Sequence, residues 1–88
     1  MYIKILNEKE WHIGQKYQSG LCVCTDFQNN KKRSNGIHFT TLEHLEMWKY
    51  MGTHYRQVIS FTNLVDFGCG TEFKAESVFL GPKISYQL

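Results

Sequence analysis

Apolar and polar positions alternate over Tyr2-Ile3-Lys4-Ile5-Leu6, the period-2 pattern of a half-buried strand with one exposed lysine. The chain then turns polar over residues 7–20, where Trp11, Ile13 and Tyr17 are isolated anchors and Gly14 and Gly20 punctuate an irregular, partly packed loop. Leu21-Cys22-Val23-Cys24-Thr25-Asp26-Phe27 is rich in strand formers and predicts a second strand. Residues 28–36 contain no apolar side chain and close with Asn35-Gly36, a pair suited to positive φ. We expect an exposed, mobile loop there, followed by a short extended piece, Ile37-His38-Phe39.

At Thr40-Thr41-Leu42-Glu43 the period changes. These residues read as a capping box, Leu42, Leu45, Trp48 and Met51 mark one apolar side, and Glu43, Glu46 and Lys49 fall on the other. Gly52 supplies the stop, so the pattern predicts a helix over about residues 41–51 with Trp48 in the core. Downstream, residues 55–61 and 64–67 are strand material, separated by Gly68-Cys69-Gly70 from an alternating stretch at 72–75. Val78-Phe79-Leu80 leads to a turn at Gly81-Pro82 and a last extended piece, Ile84-Ser85-Tyr86. The fold class this predicts is α+β: a small antiparallel sheet packed against a single helix.

Length narrows the picture to one domain over residues 1–88, because a chain of 88 residues cannot divide into two stable cores. The 15% aromatic content supplies the large side chains that a small core needs, and one proline with 20% charge argues against disorder. No apolar run reaches the ~18 residues of a membrane span, and the N-terminus lacks the apolar segment of a signal peptide, so no membrane association is expected. Cys22, Cys24 and Cys69 cannot all pair with one another, which fits a reducing compartment. The net charge of +2 does not by itself announce a nucleic-acid binder, although Lys9, Lys16, Lys31, Lys32 and Arg33 make the first half the more basic.

Candidate chemistry is sparse. Cys22-x-Cys24 lacks the Cys-x2-4-Cys spacing of structural zinc sites that would complete a set with His12, His38, His44 or His54, so neither a metal nor another cofactor is expected. Glycines flanking Cys69 suit a hairpin turn better than an exposed nucleophile. Lys31-Lys32-Arg33 beside the Asn-Gly turn can meet phosphate or an acidic protein surface, and Trp11, Tyr55 and Arg56 are residue types common at interfaces. With His38, these seven residues are the candidate binding set.

The segment Gly36-Ile37-His38-Phe39-Thr40, with Tyr50 after it and then Val58-Ile59, resembles the middle of ADP-ribosyltransferase domains. That resemblance implies a short strand and a tyrosine-bearing helix around nicotinamide, and a later-strand glutamate for which Glu72 or Glu76 is the candidate. Over nearly its whole length the chain also resembles an uncharacterised domain of bacteriophage proteins and, fused to ankyrin repeats, of giant-virus proteins. The landmarks are Tyr2-Ile3-Lys4-Ile5-Leu6-Asn7, His12, Gly14, Tyr17, Gly20-Leu21, Gly36-Ile37-His38-Phe39-Thr40, Arg56-Gln57-Val58, Phe73-Lys74-Ala75 and Leu80-Gly81. It departs from that domain just before Gly36, where a cysteine or proline is usual and Lys31-Lys32-Arg33-Ser34-Asn35 stands instead. The resemblance implies a viral protein and carries no activity with it. The expectation is a non-enzymatic binding protein that engages a host protein in the host cytoplasm, inhibiting a defence or an enzyme. The alternatives are a nucleic-acid-binding module using the basic loop and a reduced ADP-ribosyltransferase-like enzyme.

Overall fold

A computed structural model describes residues 1–86. Its strands are β1 (Tyr2–Leu6), β2 (Trp11–His12), β3 (Gln15–Lys16), β4 (Gly20–Val23), β5 (Ile37–Thr41), β6 (His54–Thr62), β7 (Val65–Asp66), β8 (Phe73–Ala75) and β9 (Ser77–Ser85). Seven of them form one sheet in the order β4-β9-β6-β1-β5-β8-β7, every pairing antiparallel, and β2 and β3 make a separate hairpin. The fold is therefore sheet-dominated, with far more sheet than the small one expected. Among the described residues no helix is long and apolar enough to cross a membrane.

Alternation decides what the sheet buries. Tyr2, Leu6, Cys22, Ile37, Phe39, Val58, Phe73, Ala75, Val78 and Leu80 cluster on one face, with Tyr17 closing over them. Tyr2 is the hub of its aromatic part, meeting Phe39, Phe61 and Phe73 edge-on at 5.2–5.5 Å between ring centroids. The predicted turn at Gly81-Pro82 does not form, because β9 runs straight through it. The β6–β9 register slips between Arg56 and Val58, opposite that dipeptide, and such a bulge tolerates a residue without an N–H.

The helix differs most from expectation. Residues 42–51 form a 3-10 turn (Leu42–His44), one α turn, α1 (Leu45–Trp48), and a second 3-10 turn (Lys49–Met51), none of whose side chains is fully buried. Thr40 is not a cap: it is buried in β5, and its Oγ1 donates to the carbonyl of Thr71. Ten residues are marginal as an independent helix, and this segment is pinned at both ends to β1 by Leu42 N–H to Met1 O and Thr53 N–H to Leu6 O. It lies as a strap along β1, with Gly52 pressed so closely on the Leu6 carbonyl that a Cβ would collide with it. Leu45 and Trp48 are only half-buried, so Trp48 is not a core residue.

Lys4 also corrects an expectation. The predicted exposed lysine is 2% exposed, in the middle of the central strand. Lys74, on β8, is fully buried as well.

Candidate functional site

The two lysines mark the place where the sheet comes apart. β1 and β5 pair only at Tyr2↔Thr41 and Ile3↔Thr40, while β1 continues to Leu6 against β6. Beyond Ile3 the strands diverge, and the Lys4 ammonium takes over from the backbone ladder by donating to the His38 carbonyl at 2.7 Å. Its cation lies over the Tyr17 ring, 4.4 Å from the centroid, and 3.5 Å from His12 Nδ1. On the far side of β5, Lys74 Nζ donates to Ser34 O at 2.8 Å and to Asn30 Oδ1 at 3.0 Å.

The basic loop is therefore anchored rather than loose. Lys74 holds its carbonyls, Arg33 pairs with Glu72 at 2.8 Å, Asn35 Nδ2 donates to Asp26, and the His38 ring Nε2 donates to the Arg33 carbonyl. Asn35 adopts the positive φ that its turn chemistry predicts, +61°. Gly36 is required for space, since a Cβ there would stand 2.8 Å from Lys74 Cδ.

Between the diverging strands, the strap, the loop and the tip of the β2–β3 hairpin lies a cleft of about 570 Å³. That is ample for a small molecule or an inserted side chain. Ile5, Ile13, Trp48, Met51 and Phe67 give it apolar walls, and Lys4, His12, Arg33 and His38 bring nitrogen to it. Trp48 Nε1 is buried and has no hydrogen-bond partner among the described residues. A buried indole N–H left unsatisfied is uncommon in proteins, and this one belongs to a cleft-lining ring. Ile13 stands at the hairpin tip with φ +48°, an unfavourable conformation for a β-branched residue, and lines the same cleft.

The electrostatics follow from crowding. Burial pushes the Lys4 ammonium down to about 7, against a smaller upward pull from Cys22. Burial, then Lys4, then His38 push His12 down to about 4. His38 is lowered too, first by burial; the Arg33 carbonyl pulls it up, and Lys4, Lys74 and Arg33 push it down. Lys74 is lowered by burial. Two carboxylates line the cleft as well, Glu72 paired with Arg33 and Asp26 hydrogen-bonded to Cys24 and Asn35.

Of the seven residues proposed from sequence, Arg33 and His38 meet at this cleft. Lys31 and Lys32 are exposed on the adjoining loop. Trp11 is 54% exposed on β2, and Tyr55 stacks on Tyr86 away from the cleft. Arg56 lies on the core face, where its guanidinium grips Glu10 at 2.6 and 3.1 Å and Gly81 O at 2.8 Å. His54 joins Glu10 from the next inward-facing position of β6 at 3.0 Å, so Arg56 is spent within the fold. Of the residues the transferase resemblance requires, His38 and Glu72 reach the cleft, while Tyr50 is 77% exposed and neither Tyr50 nor Glu76 lines it. Cys69 sits at φ +54° in the turn between β7 and β8, where Asp66 Oδ1 accepts from the N–H groups of Gly68 and Gly70. Among the described residues no group of three His, Cys, Asp or Glu side chains converges as metal ligands would.

Lys4, His12 and Trp48 were missed. A lysine alternating with apolar residues reads as solvated, and only the convergence of Tyr17, His12 and the His38 carbonyl reveals it as buried.

Compared with known proteins, the chain is similar to a putative ankyrin repeat protein of Acanthamoeba polyphaga mimivirus, 30% identical over 93 aligned positions. The match takes in 94% of this chain and 46% of the relative, so the chain spans less than half of that protein's length. The relation to a giant-virus protein is thereby supported. No family model matches the chain. No solved structure matches it either.

Proposed function

We propose that the chain is a virus-encoded, non-enzymatic binding domain that engages a host protein, and that the cleft between β1 and β5 is where it grips. The observation that carries this reading is the cleft itself, about 570 Å³ with apolar walls from Ile5, Ile13, Trp48, Met51 and Phe67 and nitrogen from Lys4, His12, Arg33 and His38. The similarity to an ankyrin repeat protein lends it support, since ankyrin arrays are extended binding surfaces.

The test is co-purification of host proteins with the parent chain and with Met51→Glu, which puts a charge on a half-exposed wall of the cleft. A defined host protein retained by the parent and lost by the variant is the expected result. A second surface supplies the control. Leu21 and Phe79 face each other across β4 and β9, Val23 lies two residues further along, and the Ile59 side chain approaches where a Cβ on Gly81 would be. All four are 43–67% exposed. Loss of the partner by Phe79→Lys with retention by Met51→Glu would move the binding surface to this face and overturn the cleft. A salt-dependent shift with oligonucleotides would favour nucleic acid instead, and label transfer from a nicotinamide dinucleotide would make the protein an enzyme.

A further inference from the structure

Nitrogen is concentrated where Lys4, His12 and His38 meet at the cleft, while the two carboxylates that line it are held on the loop side, Asp26 by Cys24 and Asn35 and Glu72 by Arg33. Lys4 Nζ stands 3.5 Å from His12 Nδ1, and the His12 and His38 rings are 6.3 Å apart between centroids. Lys74 and Arg33 add charge behind His38, and the one carboxylate reaching Arg33, Glu72, is already in an ion pair. The two imidazoles are neutral at pH 7, but a buried ammonium such as Lys4, held by a carbonyl and an imidazole and by no carboxylate, costs free energy in the empty domain, and that cost falls when an anion enters beside it. The walls, Trp48, Phe67 and Ile5, suit a flat apolar body.

We infer that the cleft binds an aromatic carboxylate, its anionic head taken by Lys4 with His12 and His38 and its ring held against Trp48 and Phe67. This rests on the cleft being the working site. The same head and body could belong to a free small acid or to the aromatic C-terminus of a protein chain.

Proton linkage gives the inference a second handle. Lys4 is faced by His12 from β2, the Tyr17 ring just after β3, Cys22 from β4, the His38 carbonyl from β5 and Arg56 across on β6, whose charge Glu10 takes. Burial raises Tyr17 to about 12 and raises Cys22 as well, so phenol and thiol stay neutral through the neutral range. Lys4 is then the group that changes charge near pH 7, and an anion must hold it protonated.

The experiment follows the Trp48 indole N–H resonance, assigned with Trp11→Phe, during titration with benzoate, N-acetyl-phenylalanine and the neutral benzyl alcohol. We expect saturable shifts with the two acids, roughly tenfold weaker binding of benzyl alcohol, and acid affinity that falls by up to about tenfold per pH unit as pH rises above 7. Lys4→Met, which keeps the packed stem, should erase most of the preference for acid over alcohol, whereas His12→Gln, which removes a neutral ring, should leave most of it. The tighter of the two acids shows whether a free acid or a chain terminus is the source. Equal binding of benzoate and benzyl alcohol would sink the anion inference and leave the cleft reading standing. No shift with any of the three would overturn both.

Discussion

Two clusters of charged side chains flank β1, and they differ in how their charge is answered. Glu10, His54 and Arg56 form a closed set, in which one carboxylate takes a bidentate guanidinium and an imidazole and every member has a partner within 3.1 Å. Lys4, His12, His38, Lys74 and Arg33 are bound mostly through backbone carbonyls, and Glu72 is the one carboxylate paired among them. Backbone oxygens satisfy hydrogen bonds but bring no formal charge. The first cluster is therefore complete as a structural clasp between the loop before β2 and strand β6, whereas in the second no carboxylate pairs with Lys4 or Lys74 among the described residues, which is the opening the proposed anion would fill.

The largest effect should come from opening the closed set. Glu10→Ala leaves Arg56 and His54 facing each other in a mostly buried place, where removing one partner of such a pair costs about 3–5 kcal/mol. Chemical denaturation of the variant measures it, and a loss under 1 kcal/mol would erase the distinction between the clusters. The same bond has a pH signature. The Arg56 hydrogen bond, followed by those from His54 and the nearby charges, against the cost of burial, holds the Glu10 carboxyl down to about 2 from 4.5. A depressed carboxylate contributes stability above its unfolded value, here on the order of 3 kcal/mol, and that contribution is lost as pH falls from about 4.5 towards 2. Glu10→Gln should flatten the acid limb of the stability curve in that window.

The open set predicts a slope on the other side of neutrality. Lys4 is pushed down to about 7 in the folded chain, so between pH 7 and 10.5 the unfolded chain binds more protons than the folded one. Stability should therefore rise with pH from 7, by at most about 1.4 kcal/mol per unit, until the raised cysteines begin to oppose it. Lys4→Met removes the titrating group and keeps the stem, and the parent minus variant difference between pH 7 and 8.5 isolates the effect. No difference would mean that Lys4 is as well solvated folded as unfolded.

Legibility from sequence follows the same division. Period-2 alternation located β1 and β8, and strand-forming composition located β6 and the first part of the 21–27 segment, where β4 ends at Val23, because both are local signals. The turn at Asn35 and the glycines around Cys69 were legible for the same reason, since φ preference belongs to the residue itself. The cleft was not. It exists because two strands distant in sequence pair for two residues and then part, and because a lysine in an ordinary amphipathic strand reaches a carbonyl 34 positions away. His38 and Arg33 were found as residue types without their setting. Trp48 was assigned to the core because helical spacing cannot distinguish a face pressed on a sheet from one left above a cleft.

The strap offers a smaller test of that last point. Leu45 carries the helix pattern but is only half-buried, and it belongs to a segment fixed at its ends by backbone bonds to β1. Full burial would make Leu45→Ala cost about 2–5 kcal/mol; partial burial predicts about 1 kcal/mol. A loss of 3 kcal/mol or more in denaturant melts would show the strap to be a packed helix in solution and the cleft narrower than described.

The smallest effect should come from Lys31 and Lys32. Both side chains are exposed and the loop carrying them is held by other residues: Lys74 on its carbonyls, Arg33 on Glu72 and Asn35 on Asp26. Replacing the two lysines by alanine removes no core contact and no ion pair of the loop, so stability should change by less than roughly 0.5 kcal/mol. Arg33→Ala differs, because it frees Glu72 at the mouth of the cleft and places a negative charge where an anion is expected to enter. Benzoate titrations should separate the two variants. The double lysine variant should lose a little affinity at low salt and nothing at 0.5 M, where charges beyond a few ångströms are screened. Arg33→Ala should weaken binding at both salt concentrations, because the charge it unmasks lines the site. Equal losses in the two variants, vanishing together at high salt, would mean that the loop acts only as a diffuse positive field and that Arg33 has no place in the cleft's own chemistry.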